Sequence, residues 1–189
     1  MMRIPRSPVR MGRSDTLLLV IDFQERLIPV IADSARVVWN ARRLIDAAAL
    51  FEIPIAATEQ YPERLGATVS PLRERLAELG VSPVPKRAFT CGDCDLPWDR
   101  EFILITGVEA HICIQQTALD LLGMGRRVVV AVDAVGSRFI VDRDTAFRRL
   151  ESAGAIITTT ESTIFEWCET SESPQFREIS RLARETPDV

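Results

Sequence analysis

FILITGVEAHICIQQTALDLLGMG (102–125) changes periodicity within a few residues. Its first seven residues are almost all apolar, which suits a strand buried on both faces rather than one with a wet side. From His111 onward the apolar positions fall at helical spacing. Ile114, Ala118, Leu121 and Leu122 form one stripe, and glycines at 123 and 125 stop the helix. A buried strand running straight into a helix implies a parallel sheet, and the rest of the chain repeats the pattern. TLLLVIDF (16–23), IPIAAT (53–58) and VSPVP (81–85) read as strands, with helices expected over roughly 34–51 and 71–80. RRVVVAVDAV (126–135) and AIITTT (155–160) are further strands around a helix over 142–154. Two short helices close the chain, one starting near Ser162 and one after Pro174. The expected fold is α/β, a three-layer sandwich with a six-stranded parallel sheet covered by helices on both faces.

No linker, repeat or low-complexity tract divides the 189 residues, so one domain is expected over 14–189 after a flexible arm over 1–13. That length buries a sizeable core without disulfides or metals. A net charge of −4 argues against a nucleic-acid backbone as the main partner. Apolar runs are too short to cross a bilayer, and MMRIPRSPVR (1–10) lacks the apolar core of a signal peptide. Four cysteines at irregular spacing do not form a secreted disulfide framework, so a cytoplasmic protein is expected. Strand one runs into DFQERL without the glycines that cradle a pyrophosphate, and no GxxxxGK[ST] loop occurs. Nucleotide binding loses its support.

In such sheets ligands sit beyond the carboxyl ends of the strands, which selects a few residues. Cys113 lies just inside the helix after strand four, where the helix dipole would lower its pKa toward a reactive thiolate. Free cysteines are also common as small core residues. Asp22 ends strand one and could take and return a thiol proton, or merely cap a turn. Lys86 ends strand three and is the only lysine among 23 basic residues. Its ammonium could hold a carboxylate or thiolate charged, although biased composition would also leave one lysine. The three converge on one edge.

Asp22 in LLLVIDFQERL, Lys86 in PKRAF and Cys113 in ITGVEAHICIQQTALDLL resemble the Asp–Lys–Cys triad of the isochorismatase-like cysteine hydrolases. TEQYPERLG (58–66), VVVAVDAVGSR (128–138) and ITTTESTIFE (157–166) extend the resemblance over about residues 14–182. It implies strand order 3-2-1-4-5-6, with Asp22 and Cys113 on either side of the reversal point. It also implies Asp22 as base and then acid, Cys113 as nucleophile and Lys86 as electrostatic support. A cis peptide bond between Val108 and Glu109 would direct the backbone N–H groups of Glu109 and Cys113 into an oxyanion hole. Nicotinamidases of this superfamily hold a metal through an aspartate and histidines after strand two. TEQYPERLG has no histidine, so neither metal nor cofactor is expected. Isochorismatases proper lack the cysteine and cleave a vinyl ether, which Cys113 disfavours. The pattern resembles the isochorismatase-domain branch.

Phe23, Gln60 and Phe89 are candidate substrate contacts, with Tyr61 beside them, although Tyr61 also suits a surface turn before Pro62. His111, the only histidine, could pair with a thiol or simply pack. Asp133, Ser137 and Arg138 could touch a ligand or cap a turn, and Cys168 suits core or interface. CGDC (91–94) could be redox-active, half a zinc site or a loop with incidental thiols. The expected function is cysteine-dependent hydrolysis of a small amide, carbamoyl or ester, on non-peptide C–N bonds above all, through a thioester. The alternative is a non-catalytic or regulatory binding scaffold, with a thiol redox protein third. A homo-oligomer, dimer or tetramer, is implied by family habit.

Overall fold

In a computed structural model, residues 6–187 are described. Six strands alternate with helices: β1 (Thr16–Ile21), α1 (Ser34–Leu50), β2 (Ile55–Gln60), α2 (Pro62–Leu65), α3 (Ser70–Glu78), β3 (Val84–Lys86), β4 (Phe102–Val108), α4 (Gln115–Gly123), β5 (Arg127–Gly136), α5 (Ile140–Ser152), β6 (Ile156–Thr158), α6 (Thr160–Cys168) and α7 (Phe176–Ala183). The strands form one sheet in order β3-β2-β1-β4-β5-β6, every neighbouring pair parallel. The α/β fold is therefore the expected one.

Strand alternation builds the three layers. Leu18 and Val20 of β1 face one way, joining Leu44 of α1, Leu72 of α3, Trp167 of α6 and Ile179 of α7. Leu17, Leu19 and Ile21 face the other way, against Ala118 and Leu121 of α4 and Leu150 of α5. Each such buried aliphatic side chain contributes about 1.5–3 kcal/mol relative to exposure. A sheet covered twice accounts for strands that are apolar at almost every position. Met11, inside the stretch expected to be a flexible arm, differs from that expectation. It is covered in the first layer, and its N–H donates to Glu166 Oε1 at 2.8 Å. Residues 1–5 lie outside the described residues.

The order reverses between β1 and β4, whose carboxyl ends lie side by side with Ile21 opposite Gly107. Gly107 has φ of 142°, and a Cβ there would sit 2.2 Å from the Ile21 carbonyl oxygen. Only glycine lets the strands approach that closely. Other boundaries move for identifiable reasons. β6 stops at Thr158 instead of reaching 160, because the Thr159 hydroxyl accepts from the Ser162 N–H and caps α6 two residues earlier than expected. The helix expected over 111–125 begins as a π-helical turn, Ala110–Ile114, before α4 proper. Such single wide turns concentrate at functional sites.

Candidate active site

Asp22 leaves β1 with φ of 56°, a left-handed conformation that aspartate tolerates better than most residues. Its side chain is fully covered. Oδ1 accepts the Thr58 hydroxyl at 2.9 Å, and Oδ2 lies 2.7 Å from Lys86 Nζ, held by charge without an aligned hydrogen bond. Lys86 arrives from the end of β3, its side chain only 3% exposed. Its ammonium also donates to Gln60 Oε1 at 2.7 Å and to the carbonyls of Phe89 at 3.1 Å and Ala88 at 3.4 Å. Three protons thus face three acceptors as well as the Asp22 charge, which leaves the cation fixed in place.

Cys113 completes the cluster from the π-helical turn, 5% exposed. Its thiol lies against both Asp22 and Lys86. Burial pushes it up to about 12, and the neighbouring Asp22 charge adds to the rise while Lys86 opposes it. This corrects the expectation of a lowered pKa. The side of the helix bearing Cys113 and Thr117 is covered, and Thr117 Oγ1 accepts the Cys91 N–H at 2.9 Å. Burial also raises Asp22, with Lys86 pulling in the opposite direction. Lys86 rises because Asp22 and Cys113 outweigh its own burial. Burial makes the Asp22 carboxylate a stronger base toward the thiol beside it.

The Val108–Glu109 peptide bond is cis. Glu109 follows it, covered, its carboxylate accepting from the Arg138 backbone N–H at 3.0 Å and from Arg138 Nε at 3.1 Å. Arg138 is thereby tied to the turn that carries Cys113. Gln60, a candidate substrate contact, instead bridges Lys86 and the Arg87 carbonyl, the latter through Nε2 at 2.8 Å. Gln24 locks it from behind, accepting the Gln60 N–H at 2.8 Å and donating to the Gln60 and Gly66 carbonyls. Sequence reasoning missed Gln24. Its signal was faint: a lone polar residue two positions past Asp22.

Phe23 is wholly covered within the first core layer, whereas Phe89 is 51% exposed. Tyr61 lies under the Arg87 guanidinium, 3.6 Å from the ring centroid. His111 is apart from the thiol: Nδ1 meets Ser137 Oγ at 3.1 Å and Nε2 is 3.9 Å from Asp142. Asp133 accepts the Thr160 N–H at 2.8 Å and so caps α6. Cys168 is core. Among the described residues, no group of three or more His, Cys, Asp or Glu could hold a metal ion.

A model of the isochorismatase domain matches residues 16–162, from the first residue of β1 to the first turn of α6. The chain belongs to the isochorismatase family. Within it, the chain is 38% identical to mouse isochorismatase domain-containing protein 2A over 179 residues, 92% of this chain and 85% of that one. A solved structure described as MAR1 ribonuclease from Caenorhabditis elegans is 39% identical, with a TM-score of 0.88 over 96% of this chain and 95% of that one. The YcaC gene product of Escherichia coli, described as an octameric hydrolase of unknown specificity, shares the fold. It is 21% identical, with a TM-score of 0.84 over 94% of this chain and 91% of that one. The isochorismatase-family hydrolase fold thus frames the buried Asp22–Lys86–Cys113 cluster.

Proposed function

We propose that the protein hydrolyses a small amide, carbamoyl or ester, non-peptide C–N bonds above all, through a thioester on Cys113. The observation that carries this reading is the buried ion pair of Asp22 and Lys86, 2.7 Å apart, against the Cys113 thiol. With the carbonyl carbon of a substrate beside the sulfur, Asp22 takes the thiol proton as Cys113 attacks. Backbone N–H groups of Glu109 and Cys113 receive the developing oxyanion. The tetrahedral intermediate collapses, the C–N or C–O bond breaks, and the leaving group departs with the proton from Asp22. Water then attacks the thioester while Asp22 takes its proton. The acid leaves and the proton returns to the Cys113 sulfur.

Lys86 acts as fixed positive charge rather than as a proton donor. Asp22 and the thiolate share it, so transfer of the proton from sulfur to carboxylate leaves the cluster's net charge unchanged. Gln60 is a positioning residue for that ammonium. The near-complete burial of Cys113 favours a small molecule, with no metal or cofactor. Phe89, whose carbonyl accepts from Lys86 and whose ring is half exposed, is the apolar side chain on offer to it. The proposal also places the protein in the cytoplasm, where four free cysteines stay reduced. Among the described residues no helix is long and apolar enough to cross a membrane. Three consecutive exposed apolar residues, Phe139, Ile140 and Val141, favour a homo-oligomer.

An amide and ester panel tests the reading, with the intact mass of the protein followed during turnover. An acyl adduct on Cys113 that disappears with product release is expected. Absence of any adduct, with no turnover across the panel, would favour the scaffold reading. RNA cleavage is a second reading, favoured by the 39% identity to the chain described as MAR1 ribonuclease. A net charge of −4 and a thiol 5% exposed speak against a polynucleotide in this site. Incubation with single-stranded RNA, alongside Cys113→Ser, separates the two.

A further inference from the structure

We infer that Cys91 and Cys94 form a second thiol site, a dithiol that a hydroperoxide oxidises to an intramolecular disulfide. CGDC is left unused by the hydrolytic reading, yet its two sulfurs are arranged very differently from a pair of incidental loop thiols. The loop closes into a turn in which the Cys94 N–H donates to the Cys91 carbonyl at 2.9 Å. The turn sets the two cysteines at its first and fourth positions, near enough for each thiol to shift the other. Cys91 is fully covered, in the same core layer as Cys113. Cys94 is partly exposed and lines a cavity of about 320 Å³ together with Lys86, Arg87, Thr90 and Asp93.

That arrangement divides the labour. The neighbouring Cys91 thiol and the Lys86 charge draw Cys94 down to about 7, so a sizeable fraction is thiolate at neutral pH, at the cavity wall. Cys91 is pushed up by its Cys94 neighbour and by burial, so it keeps its proton. The Cys94 thiolate attacks one oxygen of the hydroperoxide. The O–O bond breaks, Cys94 becomes a sulfenic acid, and the departing hydroxide or alkoxide takes a proton from water. The Cys91 sulfur then attacks the sulfenic sulfur, the S–O bond breaks, and the Cys91 proton leaves with the hydroxyl as water. Two thiols are oxidised by two electrons and one peroxide is reduced.

The pair also touches the first site. Cys91 Sγ lies 3.8 Å from Thr58 Oγ1, the hydroxyl that donates to Asp22. Its oxidation state is therefore felt one hydrogen bond from the carboxylate.

The test is titration of the full chain with hydrogen peroxide, quenching with an alkylating agent, tryptic digestion and mass measurement of the peptide 88–100, which carries both cysteines. Loss of two hydrogens from that peptide is expected, with both thiols becoming unavailable together and recovering on reduction with dithiothreitol. Cys94→Ser should leave Cys91 alkylatable at the same dose, and Cys113→Ser should leave the pair's oxidation unchanged. Cys94 stopping at sulfinic acid while Cys91 stays free would overturn the proposal. So would a bond from Cys91 to Cys113, or dependence of the oxidation on Cys113. Since the readout is the mass of one peptide, it stands apart from the outcome of the hydrolysis panel.

Discussion

Cys113 sits in the turn after β4 with its thiol against Asp22 and Lys86, while Cys94 sits in the loop after β3 at the rim of a cavity beside the same lysine. Lys86 favours the thiolate at both, yet one thiol rises to about 12 and the other falls to about 7. Two differences account for this. Cys113 is buried and faces a carboxylate, which taxes a second negative charge twice over. Cys94 keeps access to water, and the neighbouring Cys91 is a neutral thiol that lowers it. Placement just after a strand, at the start of a helix, is therefore a poor guide to reactivity when the first turn is covered. The buried thiol holds its proton until something accepts it, whereas the exposed one is ready at rest.

The largest effect should come from the sulfur itself. Cys113→Ser is expected to lower kcat on a substrate identified in the panel by about ten-thousand-fold, by analogy with other catalytic nucleophiles, with Cys94→Ser close to wild type. Steady-state kinetics on the two variants would break the comparison if they fell together.

The next effect is in pH dependence. At pH 7 iodoacetamide should label Cys94 about a few hundred times faster than Cys113, after allowing for the greater nucleophilicity of the more basic thiolate. The Cys94 rate should level off above its value of about 7, since the thiol is then mostly ionised. The Cys113 rate should keep climbing with pH toward about 12. Peptide-resolved labelling over pH gives both curves, and a plateau for Cys113 near neutrality would contradict the assignment.

Lys86→Met should destabilise the fold by about 3–5 kcal/mol in chemical denaturation, because it strands Asp22 as a buried charge. Lys86→Arg keeps the charge but not the compact ammonium, and should still reduce kcat. At the other thiol, Cys94→Ser should change stability by less than about 0.5 kcal/mol.

A smaller effect than that of losing the lysine belongs to positioning. Gln60→Leu removes one acceptor from Lys86, at a cost of about 1.5–3 kcal/mol for a hydrogen bond to a charged group. It should lower kcat more than it raises KM. A change in KM alone would mark Gln60 as a substrate contact instead.

The sheet was legible in the chain because a strand buried on both faces has to be apolar throughout. FILITGV becomes β4 from Phe102 to Val108, residue for residue as expected. IPIAAT is displaced instead, running from Ile55 to Gln60, because its ladder continues until Gln60 meets Lys86. Asp22, Lys86 and Cys113 stood out as chemistry-bearing residues at carboxyl ends of strands. The network behind them did not. Gln24, Thr58 and Thr117 have no periodicity that marks them, since their partners lie 26 to 42 residues away.

By itself, the sequence determined the parallel sheet, the layers around it and the edge on which the reactive groups stand, since those follow from hydrophobic period and the geometry of open α/β sheets. It also carried the single lysine and a TEQYPERLG segment (58–66) without histidine. Only the tertiary structure decided the charge state of the thiols. A pKa depends on burial and on the nearest charges, and both are created when the reversal of strand order between β1 and β4 brings distant segments together.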